Sequence, residues 1–296
     1  MNDRQLSGVI PILLTPFDED HAIDEDGLRN QIEFNIEAGV HGLGLALGSE
    51  IFTLNEQERD QLVDATVRAI DGRVPLVVNT GAASAQLAIH YSLAAERAGA
   101  HAAMVIPPSF QPIGPDEILA YYRELSEAVS IPIIVQDIPA APVPPALAGT
   151  VADECEWVRY IKVERPPVTR TVGAMSDGIG DRLTVFGGAG GSYFVEELRR
   201  GARGTMPFPS QPADFIEVWD RFQADDEVGA QEVFEQRIMR LARLSLQAET
   251  LPFHIHKQLM VKRGLIRTAT VRAPSAPVDA ITQGEIDREL DRLLGT

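Results

Sequence analysis

Val158-Arg159-Tyr160-Ile161-Lys162-Val163-Glu164 is a short run rich in β-branched and aromatic residues that ends on a lysine and a glutamate. A run that is apolar nearly throughout is what a parallel strand covered on both faces requires. Residues i and i+2 of a strand share a face, so Lys162 and Glu164 point the same way. Working outward, similar runs occur at Gly8–Leu14, Gly42–Ala46, Pro75–Asn79, Ala102–Ile106, Pro132–Gln136, Leu183–Gly187 and Gly204–Met206. Helical patterns lie between them at Asp26–Ala38, Asn55–Ile70, Ser84–Ala98, Pro115–Val129, Pro144–Asp153, Val168–Ser176 and Tyr193–Arg200. Strand starts fall 21 to 34 residues apart, which fits one strand, one helix and two loops.

Eight such units predict an α/β fold, a (β/α)8 TIM barrel. A doubly wound open sheet competes with it, because periodicity does not show closure. After Met206 the pattern changes to helices at Pro212–Ala224, Asp226–Gln247, Pro252–Gly264 and Gln283–Leu294, with a proline-bearing loop at Arg272–Val278. The expected organisation is a catalytic barrel over 1–224 and a C-terminal helical appendage over 225–296.

The 296 residues suit one α/β barrel, and 45% of them are hydrophobic. The net charge is −17. A groove that neutralises phosphates needs clustered Lys and Arg, and none is visible, so no nucleic-acid partner is expected. An anionic membrane surface would repel the chain, and no apolar stretch approaches the ~18–20 residues that span a bilayer. Met1–Gly8 lacks a basic region followed by an apolar run, so no signal peptide is expected. One cysteine, Cys155, precludes an internal disulfide and suits a reducing cytoplasm; it reads as a structural thiol.

The chain has three lysines, Lys162, Lys257 and Lys262. The latter two fall in a polar C-terminal helix where basic residues are expected. Lys162 ends the sixth strand, where barrels gather their catalytic groups. Burial there should lower its pKa and supply a neutral, nucleophilic amine. Such an amine condenses with a ketone, and the iminium is an electron sink for C–C or C–O cleavage. Glu164, on the same face, could move protons next to that iminium. The alternatives are a lysine that snorkels to solvent and a purely structural Lys162–Glu164 salt bridge.

With these residues in place, the chain resembles the dihydrodipicolinate synthase / N-acetylneuraminate lyase family along nearly its whole length. The marks are Gly8-Val9-Ile10-Pro11 with Thr15-Pro16-Phe17, and Ile23-Asp24. Ala38-Gly39-Val40-His41-Gly42-Leu43 and Gly48-Ser49-Glu50 follow, then Thr53-Leu54 and Glu58-Arg59. The strand-six lysine and Gly201-Ala202-Arg203-Gly204 complete the set. The resemblance implies a (β/α)8 barrel, a Schiff base at Lys162, no metal, no organic cofactor, and a homotetramer or at least a homodimer.

The departures from that family pattern bear on the reaction. Leu47 and Gly48 stand where the synthase and most of the family's aldolases carry a Thr-Thr pair, and Ser49 replaces the following Gly. Gln136 aligns with the strand-five tyrosine and Phe110 with the second tyrosine. Ala140-Ala141-Pro142 occupies the stretch that holds a substrate-binding Arg in the synthase. Val135-Gln136-Asp137-x-Pro139 with Lys162-x-Glu164 is more similar to the branch of L-2-keto-3-deoxyarabonate dehydratases. In that branch the Glu after the lysine takes over proton transfer from the missing tyrosine.

Other candidates are weighed on their own residues. Gly48 and Ser49 end strand two, where backbone N–H groups and the Ser49 hydroxyl could hold a substrate carboxylate; a plain strand-to-helix turn is the alternative. Gln136 could bond substrate hydroxyls, or be a satisfied polar residue within the barrel. Glu50 reads as a structural hydrogen-bonding anchor. Gly187-Gly188-Ala189-Gly190-Gly191 lacks the spacing of a phosphate-binding fingerprint. It reads instead as a substrate-lining turn at Gly188, where close backbone approach is needed. His254 and His256 do not share a helix face and predict no metal site. The expected protein is a cytoplasmic Schiff-base lyase for a small 2-keto acid, foremost a 2-keto-3-deoxy sugar-acid dehydratase. An aldolase, the synthase reaction and an inactive keto-acid-binding barrel are the alternatives.

Overall fold

The computed structural model describes residues 5–295. Eight parallel strands form one sheet in the order β1-β8-β7-β6-β5-β4-β3-β2. They are β1 (Gly8–Val9), β2 (Leu43–Leu45), β3 (Leu76–Asn79), β4 (Ala102–Val105), β5 (Ile133–Asp137), β6 (Val158–Val163), β7 (Thr184–Gly187) and β8 (Gly204–Thr205). The two ends of this order meet at the approach to β2. His41 N–H donates to Val9 O (2.9 Å), and Val9 N–H donates to His41 Nδ1 (3.1 Å). With a helix after each strand, this is the (β/α)8 barrel, extended by C-terminal helices.

The contacts of the chain fall into two compact units. The first comprises residues up to Ile10, His41–Ala46 and Val74–Pro207. It holds every strand, together with α3 (Ala85–Ala98), α4 (Pro115–Ala128), α5 (Pro145–Glu154), α6 (Val168–Ile179) and α7 (Phe194–Leu198). Its core is the outer face of the strands packed on those helices: Val105, Val135, Ile161, Val163 and Val185 meet Tyr122, Leu125, Val151, Val172 and Met175. Strand alternation therefore turns Ile161 and Val163 to the helices and leaves Lys162 for the inner face. Cys155 caps α5, is buried and unpaired, and its thiol is pushed by burial up to about 11.

The second unit comprises Pro11–Val40, Leu47–Arg73 and the chain from Phe208 onward. It holds α1 (Glu25–Glu37), α2 (Glu56–Ile70), α8 (Pro212–Gln223), α9 (Glu227–Val233), α10 (Met239–Ser245), α11 (Leu251–Lys262) and α12 (Ala280–Leu294). Asn55 and Glu58 close a capping box on α2, which satisfies two backbone donors the first turn would leave bare. Leu241, Leu244, Ile255, Leu259, Ile286 and Leu290 form the core of α10, α11 and α12.

Three expectations need correction. The first strand ladders only over Gly8–Val9, because Pro11 has no N–H to offer. The apolar residues after it stay buried through side chains instead: Gln31 bonds both N–H and C=O of Leu14. The single helix expected over Asp226–Gln247 is interrupted by a π turn at Phe234–Ile238 between α9 and α10. Lys257 is not a surface cation. It is completely buried and ion-paired with Glu50, while its ammonium also donates to Thr270 O (2.7 Å). The aromatic face of Phe17 lies 4.5 Å from that ammonium. Lys262 is on the surface as expected and pairs with Asp291 (2.7 Å).

Candidate active site

Within the first unit, β3, β5 and β6 bring a lysine, a glutamate and two amides into one network. Lys162 sits on β6 in register with Gln136 on β5 and Phe186 on β7. It is 4% exposed. Its Nζ lies 3.1 Å from Glu164 Oε1, so the two face each other as their i, i+2 spacing requires. Gln136 donates from Nε2 to the other carboxyl oxygen of Glu164 (2.6 Å). Asn79, at the end of β3, donates to Gln136 Oε1 (3.1 Å) and so fixes which end of that amide points at Glu164. The Ala189 N–H completes the set by donating to Glu164 Oε1 (3.2 Å).

Burial works to raise the Glu164 carboxyl. Lys162, the Gln136 amide and the Ala189 N–H outweigh it and hold the carboxyl below its usual value. The resting state is thus an anion in a web of donors. A ketone carbon brought to Lys162 Nζ would have Glu164 beside it, within reach of protons on the neighbouring carbon. That is the geometry general acid–base catalysis needs.

Gly188 belongs to this network by what it lacks. A Cβ there would overlap Cγ of Glu164, so only glycine lets β7 pass this close. Ala189, Gly190 and Gly191 all adopt positive φ (48°, 65° and 79°), which turns the chain sharply and aims the Ala189 N–H inward. Asp137 follows Gln136 but points to the opposite face. It accepts from Val143 N–H (2.8 Å) and Arg165 Nε (3.0 Å) and braces the loops after β5 and β6.

Of the residues expected at the site, Lys162, Glu164, Gln136 and Gly188 come together in this unit. Gly48 and Ser49 belong to the second unit. There Ser49 is buried and its hydroxyl donates to Leu13 O, while its own carbonyl accepts from Thr15 Oγ1. Gly48 packs against Ile12 and Phe208. Glu50 follows in the left-handed region (φ 56°) and is tied to Lys257 and to the Arg272 N–H. His254 and His256 bond to Ser275 and Ser210 separately. Among the described residues, no three His, Cys, Asp or Glu side chains are grouped to hold a metal ion. Sequence reasoning missed Asn79 and Ala189. An amide ending an apolar strand was the available signal for the first; the second acts through its backbone, which no residue type announces.

Comparison with known proteins gives the class to which this (β/α)8 barrel belongs. The chain belongs to the dihydrodipicolinate synthetase family, whose model matches residues 5–293. It is similar to L-2-keto-3-deoxyarabonate dehydratase of Azospirillum brasilense, with 31% identity over 304 residues, 97% of this chain and 95% of that protein. It is also 31% identical over 173 residues to 4-hydroxy-tetrahydrodipicolinate synthase of Bartonella quintana (strain Toulouse), 58% of each chain. The fold matches a prophage protein of the dihydrodipicolinic acid synthase family from E. coli K12, solved in complex with pyruvate. The TM-score is 0.90 at 22% identity, covering 98% of this chain and 99% of that one. It likewise matches the 4-hydroxy-tetrahydrodipicolinate synthase of Methylacidiphilum fumariolicum SolV, with TM-score 0.91 at 20% identity over 98% and 97% of the two chains. The protein is accordingly a lyase of this family. Among the described residues, no helix is long and apolar enough to cross a membrane.

Proposed function

We propose that the protein is a Schiff-base dehydratase of a 2-keto-3-deoxy sugar acid, with L-2-keto-3-deoxyarabonate as the first substrate to try. The observation that carries this reading is Lys162 paired with Glu164, whose second oxygen is bonded by the Gln136 amide. Lys162 passes a proton on, attacks the C2 ketone and expels water to form an iminium. Glu164 takes a proton from C3, and the electron pair runs into the iminium as an enamine. The enamine pushes out the C4 hydroxyl, which leaves as water with a proton from Glu164. The unsaturated imine then rearranges and hydrolyses to a semialdehyde, freeing Lys162. The residue at 136 is an amide, so it orients Glu164 and substrate hydroxyls rather than relaying protons. The reaction takes place in the cytoplasm, in a homotetramer or homodimer, without metal or organic cofactor.

Borohydride reduction in the presence of pyruvate tests the first step. A pyruvate-derived mass on Lys162 is expected, and its absence at saturating ketone leaves only a binding protein. Incubation with 2-keto-3-deoxy acids tests the second: a product that has lost water supports dehydration, and free pyruvate assigns the aldolase reaction instead. Lys162→Arg should cut turnover by roughly 10³-fold or more. Glu164→Gln should slow turnover by about 10²–10⁴-fold while still trapping pyruvate.

A further inference from the structure

Glu197, on α7, is wholly buried, and neither carboxyl oxygen has a hydrogen bond of normal geometry. Glycine at 187 makes room for it, because a Cβ there would overlap its Oε2. At the next residue the direction reverses, and a Cβ on Gly188 would overlap Glu164 instead. This is strand alternation: position 187 faces the helices and position 188 faces the barrel interior. Two carboxyl groups thus press on opposite sides of the end of β7, with one layer of backbone between them. Gly187 is in register with Val163 and Thr205, and Thr205 is also wholly buried with a hydroxyl that has no partner. A leucine at 197 would fill the same space without the cost of desolvating an acid. Packing therefore does not explain the residue.

We propose that Glu197 is a positioning residue, one that backs the Gly187-Gly188 strand end and, through that single layer of backbone, governs how readily Glu164 takes up and gives back its proton. The inference rests on the reading of Lys162 as the Schiff-base lysine and Glu164 as its acid–base partner. Burial, and next the Glu164 charge, raise the Glu197 carboxyl to about 8; the Gly188 N–H and Lys162 oppose them, and Glu196 on the same helix adds to the rise. From α6, Gly173 and Ser176 lie against Arg200 and Gly201, the residues that follow α7. Arg200 is the charge at that contact, and its guanidinium donates to Glu196 O. While Glu197 keeps its proton, Glu164 is the charged member of the two. Once Glu197 ionises, its charge raises the proton affinity of Glu164, and a proton held there is given up less readily. When Glu164 takes up the C3 proton, the field on Glu197 falls, so the two sites exchange charge in step with the reaction.

The test is turnover of the 2-keto-3-deoxy acid against pH, with pyruvate trapping on Lys162 by cyanoborohydride as the control, in the wild type and in Glu197→Gln. Turnover in the wild type should fall on the alkaline side as Glu197 ionises, because Glu164 then gives up its proton to the departing hydroxyl less readily, and this limb should be absent in the variant. Superimposable profiles overturn the role of Glu197 and leave the Schiff-base reading intact. A wild type that traps no pyruvate at any pH overturns the Schiff-base reading, and this inference with it. If the variant does not fold, infrared titration of the wild type decides. The C=O band of a protonated buried carboxyl should be present at neutral pH and disappear as pH rises through about 8; its absence at neutral pH overturns the inference.

Discussion

The Gln136 amide donates to the Glu164 carboxylate across 2.6 Å, and the same amide is held from behind by Asn79. A primary amide neither gains nor loses a proton in the working pH range. Its effect on Glu164 is to favour the anion. Gln136→Leu should remove that support and raise the Glu164 carboxyl, because the lost bond is one of those that lower it. Glu164 works as a base only when ionised, so the acid limb of the pH–rate profile should move up. A bond to a charged group is worth about 1.5 kcal/mol, so turnover on the acid limb should fall roughly tenfold and stay near the wild type at neutral pH. An acid limb that does not move would show that Gln136 does not tune Glu164.

Gly188→Ala puts a methyl group where Cγ of Glu164 now lies. The lysine is not displaced by it, but the carboxylate must turn away from both Lys162 and the Ala189 N–H. Trapping of pyruvate should persist while turnover falls by about 10²-fold or more. Loss of trapping together with turnover would point to a wider collapse of the site.

Glu197 is raised from about 4.5 to about 8, which makes stability depend on pH in a stated direction. Between those values the unfolded chain releases a proton that the folded chain keeps. Stability contributed by this group is therefore full below about pH 4.5 and is lost as pH rises toward about 8. Glu197→Gln removes that loss and should stabilise the protein at neutral pH by as much as about 4 kcal/mol. Thermal unfolding at acid and neutral pH measures it; a variant with the same pH dependence as the wild type would refute it.

Lys257 and Glu50 are both buried. Burial raises the acid and lowers the base, and each is opposed by the charge of the other. Removing one partner leaves the other charge stranded, so Lys257→Met should cost about 3–5 kcal/mol. Glu50→Gln combined with Lys257→Met should recover part of that loss in urea unfolding. A double variant no more stable than Lys257→Met would mean that the pair is not the source of the cost.

The strand pattern was legible because β3 through β7 are apolar over most of their length; β6 spans the residues the sequence marks, Val158–Val163. Lys162 and Glu164 were legible as a pair because strand spacing alone aligns them. The rest of the site is written in a different way. Gly188 marks a place where a side chain would collide, Ala189 contributes only an N–H, and Asn79 acts through Gln136 from two strands away. Glu197 hid in an ordinary amphipathic-looking segment, Phe194-Val195-Glu196-Glu197-Leu198, where a second acid suggests solvent. Lys257 misled for the same reason: residue type signals charge, but burial depends on which partner the fold supplies. Glu50 supplies it from far away in sequence.

That distance has a consequence for how the protein is made. Glu50 leaves the ribosome well before Lys257, which lies on a far later helix. Until α11 emerges, the turn after β2 carries a carboxylate with no cation to meet it in the interior. It must therefore stay hydrated and open on the nascent chain. The Gly48-Ser49 segment beside it can take its final form only after α11 has emerged, so the lyase gains this part of its structure later than the strand it follows.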